Sequence, residues 1–466
     1  MLRTSNPQAS LWEAILPAGV LGLPAELTRV DRLLDDPVFI QPFQVHFDPR
    51  CGRPSIPIDT YLRLMFLKHR YGLGYELLCR EVTDSISWQR FCRIPLGGRV
   101  PHPTTLVKLT GRLGEETIDG LNQALLHRAA EHKLLRTHKV RVDTTVVAAN
   151  VAYPTDLGLL ARAVDKLAIT AKRVQAAGGA PRTRLRDRRR ATRRRAHQVA
   201  RAMRSRTDQA KQVVLEITGQ VARLAQAQLT DAGQVVTNAR RALARGRPRP
   251  AGRLRAVVEE LATAIGRTQR LLDQAHTRLA GGMPDGASRL VSLHDPDARP
   301  IRKGRIGRPV EFGYKAQVLD NPDGIVLDHT VMVGNPPDAP LLAPAIERVI
   351  ARTGRTPGAV TADRGYGEAH VDQELTDLGV ARVAIPRRGR AGPTRRLVEH
   401  QRGFRRLVKW RTGCEGRISC LKHRFGWDRT RMDGIDGARI WCGHGVFAHN
   451  LVKIGGLLEA RHHKAA

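Results

Sequence analysis

The sequence predicts an α/β protein: a mixed sheet with flanking helices, preceded by a helical domain and interrupted by a long, coiled-coil-like helical insertion. Three observations carry this. Two short β-runs, around Val140-Arg-Val-Asp143-Thr-Thr-Val-Val and Gly358-Ala-Val-Thr-Ala-Asp363, each lead to an aspartate. Two longer β-runs, 310–319 and 325–333, flank Asp320-Asn-Pro-Asp-Gly324, the signature of a hairpin. Between these parts, apolar residues recur at alternating spacings of four and three, which is the pattern of long packed helices. The boundaries follow: 1–130 helical, 131–158 with the first strand, 159–300 the Arg-rich insertion, 301–466 the rest of the sheet and a C-terminal helix.

The first domain reads as a succession of helices. Residues 58–70 carry a helical apolar face and stop at Tyr71-Gly-Leu-Gly74. A second helix covers 75–82 and a third 85–92. Pro101-His-Pro103 then introduces a helix over 104–113, with Thr104 or Thr105 placed to cap it. Helix, Gly-containing turn and capped basic helix fit a helix-turn-helix reader of DNA, and equally a bundle that uses glycine for tight corners.

In the insertion, Leu160, Val164, Leu167, Ala171 and Val174 form one apolar stripe. Leu254, Val258, Leu261, Ile265, Leu272, Ala275 and Leu279 form a second, and Val214, Ile217, Val221 and Leu224 a shorter third. These helices should pack on one another or on a second copy of the chain. From 182 to 195 the sequence holds nine arginines in fourteen residues: Arg182, Arg184, Arg186, Arg188, Arg189, Arg190, Arg193, Arg194 and Arg195. Such a run is either a solvated face or a surface for polyphosphate, which would relieve its self-repulsion. After Gly307-Arg-Pro309 come the hairpin, a helix over 338–353, the Asp363 strand, a helix over 368–378, a strand over 381–385, and a basic helix carrying Glu415.

Composition narrows the function. The chain has 466 residues with 78 Lys and Arg against 44 acids, a net charge of +34. That excess points to a polyanionic partner, nucleic acid before an acidic membrane, because no basic amphipathic anchor stands out. The uncharged run 14–25 contains Pro17 and Pro24 and is too short for a span or a secretory signal. The six cysteines include no CxxC pair and read as reduced thiols of a cytoplasmic protein. Cys442-Gly-His444 with Cys414 and Cys420 has the wrong spacing for the common zinc sites.

Asp143, Asp363 and Glu415 together offer hard oxygen ligands for two Mg²⁺ ions about 4 Å apart, the arrangement that activates an attacking oxygen and steadies a leaving one at a single phosphorus. Arg411, Arg417 and Lys422 stand four before, two after and seven after Glu415; on a helix the first and last share the acid's face, so Arg411 and Lys422 can meet the phosphate. Any one of these acids alone would read as a surface carboxylate. Their shared setting is what points to chemistry.

These residues resemble a known family. Val142-Asp143-Thr-Thr-Val-Val-Ala-Ala-Asn150 with Tyr153-Pro-Thr-Asp156, Thr361-Ala-Asp363-Arg-Gly-Tyr-Gly367, and Arg411-Thr-Gly-Cys-Glu415-Gly-Arg-Ile-Ser-Cys-Leu-Lys422 are similar to segments of bacterial insertion-sequence transposases of the DDE type. The family's signature around its glutamate is Tyr-x2-Arg-x3-Glu-x6-Lys, and here Val408 stands at the tyrosine position. The resemblance implies an RNase H-like catalytic core, an N-terminal transposase domain, and a metal-binding triad of Asp143, Asp363 and Glu415 served by Mg²⁺, with Mn²⁺ able to substitute. It also implies double-stranded DNA partners (element ends with terminal inverted repeats, and a target), strand cleavage and transfer, a homodimer or larger synaptic complex, and a cytoplasmic, nucleoid-associated location. The DNA-binding set expected on these grounds is Arg411, Arg417 and Lys422 with Arg186, Arg188, Arg189, Arg190, Arg193, Arg194 and Arg195. A nuclease that cuts without joining, and a non-catalytic DNA-binding regulator, remain open alternatives.

Overall fold

A computed structural model describes residues 1–5, 15–202, 207–246, 251–302 and 309–465; Ala14, Gly307 and Arg308, named above, lie outside them. The chain forms two compact units, Met1–Asn150 with Tyr314–Ala466, and Val151–Gly313.

In the first unit, helix α1 (Ala25–Leu34) is followed by α2 (Ile58–Arg70), whose residues are buried on almost every side. Next come α3 (Tyr75–Asp84) and α4 (Ile86–Phe91), where the Ser85 hydroxyl accepts from the Trp88 amide as an N-cap. Helix α5 (Pro103–Glu131) is far longer than its sequence suggests. Its cap is His102, not Thr104 or Thr105, with Pro103 in the first turn. Gly114, at φ 70°, kinks the helix where the apolar pattern looked finished, and the helix resumes beyond it. The long C-terminal helix α6 (Gly434–Ala465) packs against α1, α2 and α5 and against strand β4 (Val326–Val333). The N-terminal helices therefore share one core with the sheet, and no unit boundary falls near residue 130.

The sheet of this unit runs in the order β4, β3 (Val310–Asp320), β1 (Val140–Ala148), β5 (Ala359–Thr361), β6 (Arg382–Ala384). β3 and β4 form the antiparallel hairpin, while β1, β5 and β6 are parallel. This mixed sheet with its flanking helices is consistent with the RNase H-like fold. Helices α7 (Leu342–Thr353) and α8 (Ala369–Asp377) link the later strands. Three basic helices follow: α9 (Pro393–His400), α10 (Arg402–Arg411) and α11 (Gly413–Arg424).

One buried ionic cluster ties α11 to the sheet. Asp320, at the end of β3, is fully buried and accepts two hydrogen bonds from Arg141 of β1, at 2.7 and 2.8 Å. It also accepts one from Arg417 of α11, at 3.2 Å. Arg141 in turn donates to the Trp410 carbonyl (3.0 Å) and lies 4.8 Å from the Trp410 ring.

In the second unit, α12 (Asp156–Ala176), α13 (Asp208–Ala244) and α14 (Ala251–Leu279) pack on one another through the three apolar stripes, with α15 (Arg189–Ala202) against α12 and α13. Leu160, Val164, Val221 and Leu272 share one core cluster, and Leu167, Ala171, Val174, Leu254, Val258 and Leu261 another. Within this unit β2 (Arg299–Arg302) pairs antiparallel with residues 310–313. Among the described residues, no helix is long and apolar enough to cross a membrane.

Removing Asp320 would leave two guanidinium groups buried without a counter-charge. Asp320→Ala is predicted to destabilise the protein by about 3–5 kcal/mol, read as the shift in chemical unfolding; a loss of under about 1 kcal/mol would show that the cluster does not hold the fold.

Candidate active site

The parallel register builds the first half of the site. Arg141 pairs with Thr361 across β1 and β5. Asp143 continues β1 past that pair, while Asp363 follows the end of β5 by two residues, near enough that its charge raises the proton affinity of Asp143. Asp363 leaves the strand end as the N-cap of a single 3-10 turn, Arg364–Tyr366, its carboxylate accepting from the Gly365 amide at 2.9 Å. The Thr144 amide likewise donates to Asp143 at 2.8 Å.

The second half comes from the α10–α11 junction. A Cβ at Gly413 would collide with the Arg141 guanidinium, so glycine lets α11 begin against the sheet. Two residues on, in the first turn of α11, stands Glu415 with its side chain 72% exposed. Arg411, the last residue of α10, spans the acids: its Nη1 lies 3.2 Å from Asp143 Oδ2 and its Nη2 4.0 Å from Glu415 Oε1.

The electrostatics record this crowding. Burial pushes the Asp143 carboxyl up to about 6; Asp363 and Glu415 add to the rise, while the Thr144 hydrogen bond and Arg411 oppose it. Asp363 is raised as well, chiefly by burial and then by Asp338.

Asp338 is the acid that sequence reasoning missed. It follows β4 within a proline-rich turn that carries no sign of function. Its Oδ2 and an Asp363 carboxylate oxygen would each sit 3.0 Å from a Cβ placed on Gly365, so the two oxygens lie within twice that distance of each other. Lys315 of β3 holds Asp338 at 2.7 Å and donates to the Pro336 carbonyl at 2.6 Å. Beneath them Tyr366 is fully buried, its hydroxyl accepting from Gln317 at 3.0 Å.

The expected phosphate ligands divide. Arg411 faces the acids. Arg417 turns inward to Asp320 and His449, with 12% of its side chain exposed, so its charge serves the fold. Lys422 lies in the last turn of α11, partly exposed. In the second unit, Arg188 pairs with Asp231, Arg189 with Asp187 and Arg193 with Asp165, while Arg195 donates to Gln220. Arg186, Arg190 and Arg194 are exposed, with no acid paired to their side chains among the described residues. Val408, at the motif's tyrosine position, packs against the small cluster of Ala359, Ala384, Phe404 and Leu407.

The donor set fits a hard divalent cation in kind: carboxylate oxygens, two of them partly buried, with proton affinities that burial raises. As placed, no three Asp, Glu, His or Cys side chains among the described residues converge tightly enough to ligate one ion. The Arg411 guanidinium reaches both Asp143 and Glu415, and the Glu415 side chain is largely exposed. A cavity of about 620 Å³ opens elsewhere in the unit, lined by residues that include Asp119, His329, Arg348 and Arg352, but none of the three acids lines it. Its charges are largely spent on one another, through Arg352 with Asp119 and Arg348 with Asp328.

Two family models match the chain: one described as a Transposase domain (DUF772), over residues 18–112, and one described as a Transposase DDE domain, over residues 288–451. Asp363 and Glu415 fall inside the second match, and Asp143 lies outside both. The chain is also similar to the uncharacterized protein ORF8 in the nfe locus of Rhizobium meliloti, 29% identical over 127 residues. That alignment covers 26% of this chain and 61% of the relative. No solved structure matches the chain.

Because the folded-state affinity of Asp143 for its proton exceeds that of the unfolded chain, ionising it opposes folding. This penalty is absent below about pH 4, grows through pH 4–6, and is complete above pH 6. Asp143→Asn is therefore predicted to raise stability at pH 7 by roughly 1–3 kcal/mol and to bring no gain at pH 3.5. Thermal unfolding at the two pH values checks it; an equal effect at both would remove the electrostatic explanation.

Proposed function

As a member of the DDE-type insertion-sequence transposases, with a transposase domain followed by a transposase DDE domain, this protein is, we propose, the enzyme that binds the terminal inverted repeats of its element, cuts there, and joins the freed ends to target DNA. The observation that carries the reading is the nearness of the three acids: Asp363 and Glu415 both raise the proton affinity of Asp143, and Arg411 reaches from Asp143 toward Glu415.

Asp143, Asp363 and Glu415 would hold Mg²⁺, or Mn²⁺ in its place. Bound there, the ions supply Lewis acidity at the phosphate and lower the proton affinity of the attacking oxygen. The chain's own residues do the rest. Asp143 and Asp363, fixed by amide hydrogen bonds from Thr144 and Gly365, keep their oxygens in place before DNA arrives. Glu415 swings in from solvent on a single side chain. Arg411, which now reaches Asp143, would serve the phosphate together with Lys422, while Lys315 holds Asp338 beside the Asp363 turn. The exposed arginines Arg186, Arg190 and Arg194 meet DNA backbone, positioning it without reading sequence. Working on two element ends calls for a homodimer or larger assembly.

Asp143→Asn, Asp363→Asn and Glu415→Gln are each predicted to lower Mg²⁺-dependent cleavage of DNA carrying the element's ends by at least about 10³-fold, with duplex binding nearly unchanged. Normal cleavage by any one of them removes that residue from the mechanism. A precleaved end offered with a target plasmid tests joining: strand transfer is expected, cleavage without transfer would make the protein a nuclease, and DNA binding with no metal-dependent product a regulator.

A further inference from the structure

We propose that the outer face of α10 is a phosphate rail that lays duplex DNA against the acid site. Arg402, Arg405, Arg406 and Lys409 are all exposed. At 3.6 residues per turn they fall within about 100° of arc and along about 10 Å of helix. The opposite side is anchored: Phe404 and Leu407 are buried against Ala359 and Ala384, the β5 and β6 residues of the same cluster. Arg411 closes that inner side by reaching Asp143.

No acid occurs between His400 and Glu415, so nothing within the helix neutralises the row. No acid elsewhere among the described residues is paired with these four side chains. Four cations on one side of a helix repel one another unless an anion lies across them. Duplex DNA carries about one charge per 1.7 Å of axis with both strands counted, so roughly six phosphates fall along a length equal to the rail. An anionic membrane is the poorer match, because such binding needs exposed apolar side chains beside the basic ones, and α10 buries Phe404 and Leu407 and exposes no apolar side chain fully. Since α10 runs directly into Arg411 and Glu415, DNA lying on the rail is delivered to the acids.

This inference rests on reading those acids as a DNA-processing centre, and its test fails separately from that reading. The full-length protein is titrated with two fluorescein-labelled duplexes of unrelated sequence, about 30 base pairs each, over roughly 50–200 mM salt. The triple variant Arg402→Ala, Arg405→Ala, Arg406→Ala is expected to bind both duplexes more weakly by similar factors. Its slope of log affinity against log salt should be shallower by about 0.9 for each phosphate left without its arginine, so about 2.7 in all. The matching triple change to Lys should keep the slope near wild type. An unchanged slope in the Ala variant, an equal loss in the Lys variant, or a defect confined to phosphatidylserine vesicles would each overturn the rail. If the rail fails while Asp143→Asn still abolishes cleavage, the catalytic reading stands; if Asp143→Asn cleaves normally, that reading falls whatever the slope.

Discussion

The site depends on a carboxylate that does no chemistry. Asp320, with no exposed surface, gathers Arg141 from the first strand and Arg417 from α11. Two buried cations on one anion are stable only where hydrogen bonds are short and well directed, and Arg141 meets this with a paired donation and a third bond to the Trp410 carbonyl. The geometric consequence is that α10 and α11 cannot shift along the sheet without breaking that cluster. Arg141 lies two residues before Asp143, and Arg417 two residues after Glu415, so the lock sits directly beside the parts it positions.

A second constraint is the charge balance at the acids. Asp143, Asp363, Asp338 and Glu415 lie in one neighbourhood with Arg411 and Lys315 as the near cations. In that state the buried acids hold protons more tightly than usual and Arg411 is drawn to Asp143. A divalent ion would supply what they lack, which is why the arrangement reads as prepared for a cation. Lys315, already engaged with Asp338 and the Pro336 carbonyl, leaves Arg411 as the group that can move.

Much of this was legible in the sequence because strand chemistry is local. β-branched residues around Asp143 and Asp363, and the Asn-Pro-Asp-Gly turn, specify strands and a hairpin without knowledge of partners, and the heptad stripes mark the three packed helices of the second unit. What was not legible depended on distant partners. Arg417 and Arg411 look alike on a basic helix, and only the burial of Asp320, about a hundred residues earlier, turns one inward. Arg188 and Arg193 look like a phosphate surface until Asp231 and Asp165 are seen to pair with them. Asp338 carries no local mark, since its position beside Asp363 is set by the Gly365 turn and Lys315. The kink at Gly114 hid the second half of α5 in the same way, because a helix that continues past a glycine is held by packing.

The most direct test of the account is where a divalent cation settles. Crystals of the full-length protein soaked in Mn²⁺ should show an anomalous scattering peak bounded by the carboxylates of Asp143 and Asp363, with Glu415 turned inward and Arg411 withdrawn from Asp143. A well-ordered site with Arg411 still bound to Asp143 and no peak between the two aspartates at saturating Mn²⁺ would contradict it.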